Sequence, residues 1–154
     1  MGKPVAGAKS RAANKQRAAG ARSRSARASA DPVFAGGLKV RREMWGHEGA
    51  EGQIDAASDF LWPMQEAVTR YCFGQTWTRP GLSRKARSMI TLGILVSQGR
   101  PHEIKVHVRG AIANGLTKEE IQEVMLHAMV YSGIPRGVEG FRCAEEVLKD
   151  MGLA

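Results

Sequence analysis

Cysteine is scarce in this chain of 154 residues, which contains only Cys72 and Cys143. Two thiols so far apart do not form a disulfide framework, and no secretory hydrophobic segment opens the sequence, so a reducing compartment is expected. Long apolar runs are also absent, since no stretch approaches the roughly 18 residues that a membrane helix needs. The sequence therefore predicts a soluble, cytoplasmic protein that does not enter a membrane.

Acidic residues are missing from the first 30 positions, although the whole chain carries 15 of them and a formal net charge of +8. The same segment has too little apolar surface to offset the entropy lost on ordering. We therefore predict a basic, disordered tail at 1–36 and one folded domain at 37–154, in which the charges nearly balance. The cations of the tail are Lys3, Lys9, Arg11, Lys15, Arg17, Arg22, Arg24 and Arg27.

Composition leaves three interpretations of this tail open. A cationic arm can hold nucleic acid or another acidic surface, and a segment rich in Arg, Ser and Ala without acids also has the composition of a transit peptide. The third interpretation is a solvated extension. Aromatic residues do not interleave the charges, so any nucleic-acid binding is expected to be weak, nonspecific and sensitive to salt.

Alternation of apolar and polar residues, the pattern of β-strands, is not found along the chain. Apolar residues instead recur at helical spacing, and Ser83, the Thr117 to Glu120 capping box, Gly99 and Gly133 mark helix ends. These signals predict an all-α domain of about six helices, with a polar loop at 46–54. The helices are expected at Leu38 to Trp45, Ala56 to Phe73, after Ser83 to Gly99, after Pro101 to Gly115, after Thr117 to Gly133, and Pro135 to Met151.

Metal and dithiol motifs are also absent: the chain has neither H-E-x-x-H nor C-x-x-C. The remaining candidates for chemistry are two helical pairs at i, i+4 spacing, Glu103 with His107 and His127 with Tyr131. A carboxylate one turn before an imidazole orients it and raises its basicity, as general acid–base catalysis requires. Each pair also has a structural interpretation, as surface stabilisation or as polar groups satisfied within the core.

A connector between helices carries Trp77 and Arg79, an aromatic and a guanidinium group that can line a pocket and grip a carboxylate. The alternative is that Trp77 simply packs the connector against the core. Arg87 lies soon afterwards in the first turns of the buried helix that follows Ser83. Together with Arg84 and Lys85 it opposes the helix dipole, so an anionic partner is expected nearby.

Five stretches in this order resemble the γ-carboxymuconolactone decarboxylases, a family within the alkyl hydroperoxidase D-like superfamily. The first, Gly-Gln-Thr-Trp-Thr-Arg-Pro-Gly-Leu at 74–82, is similar to the family's G-E-V-W-S-R-P-G-L, and the likeness extends over about Leu38 to Gly152. Order and spacing agree throughout, which is far more specific than any one pair. The other stretches are 87–92, 103–109, 114–120 and 127–135.

This resemblance implies a helical homo-oligomer, a hexamer or a trimer, with sites near subunit contacts. It also implies a cofactor-free reaction without metal, in which 4-carboxymuconolactone loses CO2 to give 3-oxoadipate enol-lactone in the protocatechuate branch of aromatic catabolism. Loss of CO2 leaves a dienolate, so the site needs a proton donor, a donor to the developing oxyanion, and cations for a dianionic substrate. The residues assigned are His107 oriented by Glu103 as acid, His127 or Tyr131 as oxyanion donor, Arg79 or Arg87 as carboxylate grips, and Trp77 at the substrate.

Three departures from the family pattern bear on the substrate. Gln75 stands where the family usually has Glu, Phe73 replaces a frequent Trp, and Arg136 follows Pro135 where Ala is usual. The related hydroperoxidases place their cysteine pair at the positions of Arg100 and Glu103, so a thiol-dependent peroxidase ranks second. A non-enzymatic helical oligomer with a nucleic-acid-binding tail ranks third.

Overall fold

The computed structural model describes residues 23–153, and this part of the chain is helical without any strand. The all-α prediction is therefore confirmed. None of the helices in this range is long and apolar enough to span a bilayer. In chain order they are α1 (Arg24–Ala28), α2 (Pro32–His47), π1 (Glu48–Gly52), α3 (Gln53–Asp55), α4 (Trp62–Ala67), π2 (Val68–Thr76), α5 (Arg84–Gln98), α6 (Pro101–Ala113), α7 (Lys118–Ser132) and α8 (Ile134–Asp150), where π1 and π2 are π-helical segments.

The folded part begins earlier than the sequence predicted. Asp31 caps α2 by accepting a hydrogen bond from the Val33 N–H at 2.9 Å, and Pro32 occupies the first turn. Phe34 of this helix is fully buried. Residues 23–36 therefore belong to the helical structure rather than to the tail, because Phe34 supplies an anchor for the core. The prediction for 1–22 falls outside the described residues.

The predicted loop at 46–54 is a helical turn, which corrects the sequence interpretation. Gly46, with φ of 70°, ends the regular part of α2, and the chain then continues through π1 and α3. Ala50 and Ile54 of this turn are fully buried against Phe34 and Leu38. Burial of these two apolar side chains anchors a segment whose composition resembles a loop.

The predicted helix from Ala56 to Phe73 is also divided differently. Residues 57–61 are not helical, α4 begins at Trp62 with Pro63 in its first turn, and π2 carries the helix on to Thr76. Two glycines allow π2 to lie close against α2. A Cβ on Gly37 would stand 2.0 Å from the Thr69 carbonyl oxygen, and one on Gly74 would stand 2.3 Å from the Val33 oxygen.

The C-terminal half is a bundle of four helices whose boundaries agree with the predictions. Ser83 caps α5, Gly99 ends it in the left-handed conformation, and the Thr117 to Glu120 capping box opens α7. In this bundle α6 and α7 both pack extensively on α5 and α8 but little on each other. The bundle core comprises Leu92, Val96, Ile104, Val108, Ala111, Leu116, Ile121, Met125, Ala128, Cys143, Ala144 and Val147.

Helix α5 was expected to be buried all round, and this expectation is wrong. Leu92 and Val96 are fully buried, but Ile90 and Ile94 are about half exposed, at 51% and 50%. The reason is that α5 contacts α6, α7 and α8 on one side only, so an apolar stripe on its other side faces outward.

Candidate active site

His107 lies on α6, half-buried, with its ring against the indole of Trp45. The ring centroids are 5.5 Å apart and the planes meet at 85°, an edge-to-face arrangement. Burial lowers the pKa of His107 below its ordinary value of 6.5, and the charge of Glu103 acts in the opposite direction. Since burial has the larger effect, the imidazole is mostly neutral at pH 7, whereas the sequence predicted raised basicity.

Glu103 lies one turn before His107, in the first turn of α6, where a carboxylate complements the helix dipole. It is exposed. Among the described residues it forms no hydrogen bond with His107 and acts on that ring through its charge alone. The contact that fixes the imidazole comes instead from Trp45, which the sequence interpretation did not place in the site. No local signal could have found it, because 62 positions separate the two residues.

His127 and Tyr131 come together on α7, as their spacing predicts. Their ring centroids are 4.8 Å apart and the planes meet at 47°. Both side chains are exposed and line a groove of about 910 Å³ between α5 and α7. The wall of this groove is mainly apolar, with carboxylates at one end and small polar groups at the other. Representative lining residues are Met89, Ile94, Val124, Glu119, Glu123 and Ser97.

His107 does not line this groove. Helix α6 presents it toward α2, whereas α7 presents His127 beside α5. The two helices lie across the bundle from each other because each packs against α5 and α8. His107 and His127, which the resemblance assigns to one active site, therefore do not share this groove within a single chain.

The connector after π2 holds Trp77 in the core. The indole is only 7% exposed and its ring lies 5.6 Å from that of Phe73, so packing occupies most of the surface that a substrate would contact. Arg79 is exposed, and its carbonyl accepts a hydrogen bond from Arg87 Nη2 at 3.0 Å. The two predicted carboxylate grips are thus neighbours, and Nε of Arg87 is buried without a hydrogen-bond partner.

Arg136 lies against the C-terminal end of α5. Its guanidinium occupies the space beside Gly99, where an added Cβ would approach Nη1 to 1.6 Å. Glu139 is 3.9 Å away, at the limit of an ion pair. Arg136 does not line the groove that contains His127 but a separate pocket, together with Lys105, Glu139 and Glu146.

Within residues 23–153, no three His, Cys, Asp or Glu side chains are close enough together to hold a metal ion. Cys72 and Cys143 are both free, one exposed and one buried. Burial raises the pKa of each thiol above its ordinary value of 9.0, which leaves both mostly protonated at neutral pH. Neither cysteine has the reactive thiolate that a peroxidase needs.

Comparison with known proteins identifies a family and two enzymes. A model of the carboxymuconolactone decarboxylase family matches residues 63–146. The chain is 38% identical over 118 residues to 4-carboxymuconolactone decarboxylase of Acinetobacter baylyi, and the aligned region covers 77% of this chain and 88% of that enzyme. It is 42% identical over 119 residues to nitrosuccinic acid decarboxylase npaB of Metarhizium robertsii, and the aligned region covers 77% of this chain and 83% of that enzyme.

Proposed function

The chain belongs to the carboxymuconolactone decarboxylase family and is a decarboxylase, and we propose that its substrate is 4-carboxymuconolactone or a closely related carboxylated lactone. The product of the proposed reaction is 3-oxoadipate enol-lactone, an intermediate of aromatic catabolism through the β-ketoadipate pathway. The observation that carries this proposal is the 38% identity to 4-carboxymuconolactone decarboxylase over nearly the whole of that enzyme. We also propose a cytoplasmic location, which the two free cysteines favour.

The substrates named for the two relatives have one chemical feature in common. In 4-carboxymuconolactone and in nitrosuccinic acid, the carbon that loses CO2 also bears a CH2–COO⁻ group and is joined to an electron-withdrawing group. When the bond to the carboxylate breaks, its electron pair moves through the ring double bond onto the carbonyl oxygen of the lactone, or onto an oxygen of the nitro group, and a proton then adds to carbon. A site for such molecules must hold a carboxylate, stabilise an oxyanion and deliver a proton.

The proposed roles follow these three requirements. The protonated imidazole of His107 delivers the proton to carbon. The charge of Glu103 favours this protonated form. His127 or Tyr131 donates a hydrogen bond to the developing oxyanion, since both are exposed in the groove. Arg79 and Arg87, which are neighbours, hold the carboxylates of the substrate. No metal or organic cofactor takes part in the proposed reaction.

His107 and His127 lie on different faces of one chain, so we propose that a second copy completes the site within a homo-oligomer, a trimer or a hexamer. Apolar side chains near the groove support this assembly. Val130, Tyr131 and Ile134 are 76%, 78% and 68% exposed, which is costly for apolar surface in a monomer. In such an assembly, His127 of one copy meets His107 of another.

The test of the reaction is release of CO2 from 4-carboxymuconolactone and, separately, from nitrosuccinate by the purified protein. We expect turnover of the lactone, and about a 100-fold lower kcat in His107→Ala, the usual effect of losing a general acid. His102→Ala, which alters an exposed histidine of the same helix, should keep wild-type activity. Failure to release CO2 from the lactone, or faster turnover of nitrosuccinate, overturns the proposed substrate.

The shared site is tested by co-expressing His107→Ala and His127→Ala chains with different tags and purifying the mixed oligomers. A site built from two copies regains both imidazoles at about one third of positions in a mixed trimer and about one quarter in a mixed hexamer, so activity should return to about 25–33% of the wild-type rate. Each variant alone should remain about 100-fold below the wild-type rate. Mixed oligomers as inactive as the single variants would show that both histidines must come from the same chain.

A further inference from the structure

The surroundings of His107 assign a role to a residue that neither the sequence motifs nor the comparisons identify. We propose that Trp45 is a positioning residue, which fixes the plane of the His107 imidazole and excludes water from one side of it. This inference rests on the proposed role of His107 in the reaction. Trp45 is not itself expected to touch the substrate.

Two contacts hold the indole in a single orientation relative to His107. Its Nε1 donates a hydrogen bond to the carbonyl of Val106 at 2.9 Å, and its ring meets the imidazole edge to face at 5.5 Å. Val106 is the residue before His107, so the hydrogen bond and the ring contact engage the same turn of α6. A ring held at two points cannot slide without breaking one of the contacts.

The sequence leaves space for this approach at two glycines. A Cβ on Gly110 would stand 3.1 Å from Nε1 of Trp45, and one on Gly49 would stand 2.4 Å from Cβ of Trp45. Gly110 lets the indole reach the backbone of α6, and Gly49 lets the π1 turn pack behind Trp45. A larger side chain at either position requires Trp45 to move.

Further aromatic rings support the indole from behind. Phe73 meets Trp45 at 5.4 Å and 89°, and Trp77 packs against Phe73 at 5.6 Å. Phe73 and Trp77 are nearly fully buried, at 4% and 7% exposed. A row of packed rings, formed by Trp77, Phe73 and Trp45, therefore runs from the connector that carries Arg79 to the imidazole of His107. The end of this row at Phe73 and Trp77 is held rigid by close packing.

Only one charged group in the described part of the chain acts on the imidazole. Glu103 does so from α6 itself, in the direction that favours the charged ring. From α8, Glu146 and Asp150 are paired with Lys105 and Arg109 of α6 at 2.6 and 3.0 Å. Glu43 of α2 and Arg84 of α5 are paired with each other at 2.6 Å.

Removal of the indole should therefore affect His107 in two separable ways. Water would reach the imidazole and stabilise its charged form, so the pKa of His107 should rise. The ring would also lose its fixed plane, and a displacement of about 1 Å in a catalytic group can cost up to about 100-fold in rate. A purely structural role for Trp45 would lower the amount of folded enzyme without moving the pKa.

The experiment uses Trp45→Leu and Trp45→Phe in the full chain, with Trp62→Leu as the matched control at a half-buried tryptophan that contacts Phe34. The titration of His107 is followed by NMR of the ring protons, assigned by comparison with His107→Gln. The rate is measured over pH with 4-carboxymuconolactone. Trp45→Phe keeps an apolar ring and guards against loss of folding in the Leu variant.

We expect a higher pKa of His107 in both Trp45 variants, a shift of the activity profile to higher pH, and about a 10-fold lower limiting kcat in Trp45→Leu. Trp62→Leu should change none of these. An unchanged His107 titration in both variants overturns the inference, whatever happens to the rate. The inference is also overturned if the titration of His107 shifts in the Trp45 variants while their kcat stays unchanged, provided that His107→Ala does inactivate the enzyme. If His107→Ala itself is fully active, the proposed role of His107 fails instead, and with it the functional meaning of Trp45.

Discussion

Lys85 Nζ lies 2.6 Å from Oε1 of Glu120, which joins the first turn of α5 to the first turn of α7. The other carboxylate oxygen of Glu120 accepts the Thr117 N–H at 2.9 Å, and Thr117 Oγ1 accepts the Glu120 N–H at 3.2 Å. Arg84 is paired with Glu43 in the same way, at 2.6 Å. Arg84 and Lys85 at the start of α5 thus have the anionic partners that the sequence led us to expect, whereas Arg87 donates to the Arg79 carbonyl instead.

Thr117→Ala should destabilise the protein by about 1 kcal/mol, because it removes the side-chain half of the capping box. The Lys85 to Glu120 pair lies on the same turn and should loosen as the N-terminus of α7 frays. The measurement is the urea midpoint at pH 7. Thr117→Ser keeps a hydroxyl group at the cap and should remain within a few tenths of a kcal/mol of the wild type; equal loss in both variants would contradict the capping role.

Gly110→Ala should destabilise the protein by about 1–3 kcal/mol through overpacking. The added Cβ would stand 2.7 Å from Cε of Met44 and 3.1 Å from Nε1 of Trp45, so both side chains must shift. Gly36→Ala provides the control, because a Cβ there meets only Cγ2 of Thr78 at 3.9 Å. Alanine in that helix interior should stabilise by about 0.5–1 kcal/mol. Thermal or urea unfolding of both variants measures the two opposite effects.

Arg41→Ala should cost about 2–4 kcal/mol, since the guanidinium is 3% exposed and supplies three side-chain hydrogen bonds. It donates to Thr69 Oγ1 at 2.7 Å, Gln65 Oε1 at 2.9 Å and Gln53 Oε1 at 3.1 Å. These acceptors join α2 to α3, α4 and π2. Lys39→Ala, at an exposed position of the same helix, should change the unfolding free energy by less than about 0.5 kcal/mol, and a similarly small effect at Arg41 would contradict the assignment.

Glu51 should make stability depend on pH in the acidic range. Burial raises its pKa, but the hydrogen bond from Arg42 and the charges of Arg42 and His47 outweigh burial and hold the pKa below its ordinary value of 4.5. A carboxyl group with a lowered pKa in the folded state stabilises it above the unfolded pKa, and this contribution is lost as the pH falls through the folded pKa.

The measurement compares the unfolding free energy of Glu51→Gln with that of the wild type from neutral to acidic pH. The difference should be constant above the ordinary pKa of 4.5 and should shrink as the pH is lowered further. Glu48→Gln, at an exposed position of the same turn, is the control and should follow the wild-type curve. A difference that does not change with pH would assign the effect of the Gln substitution to packing rather than to charge.

The acid role of His107 predicts the direction of the activity profile. Only the protonated imidazole delivers the proton, and burial lowers the pKa of His107 below 6.5. The rate kcat/KM for 4-carboxymuconolactone should therefore be greatest on the acidic side and should fall as the pH rises through that lowered pKa. A rate that rises with pH over this range would instead make His107 a base.

The ends of the helices were readable from the sequence because caps are local. Ser83 and the Thr117 to Glu120 box act over three residues, and Gly99 and Gly133 end their helices by their own positive φ. The folding of 46–54 was missed for the opposite reason. Its two apolar residues, Ala50 and Ile54, become structural only when Phe34 and Leu38 meet them from another helix.

By itself, the sequence determined the helical class, most helix boundaries and the family, because these depend on periodicity, caps and the order of short motifs. Tertiary structure decided which groups meet: it placed Trp45 on His107, buried Trp77, and set His107 and His127 on different faces. The reason is that helix packing, not spacing along the chain, fixes the direction in which each side chain points. Residues 62 positions apart share a contact only after α2 has packed across α6.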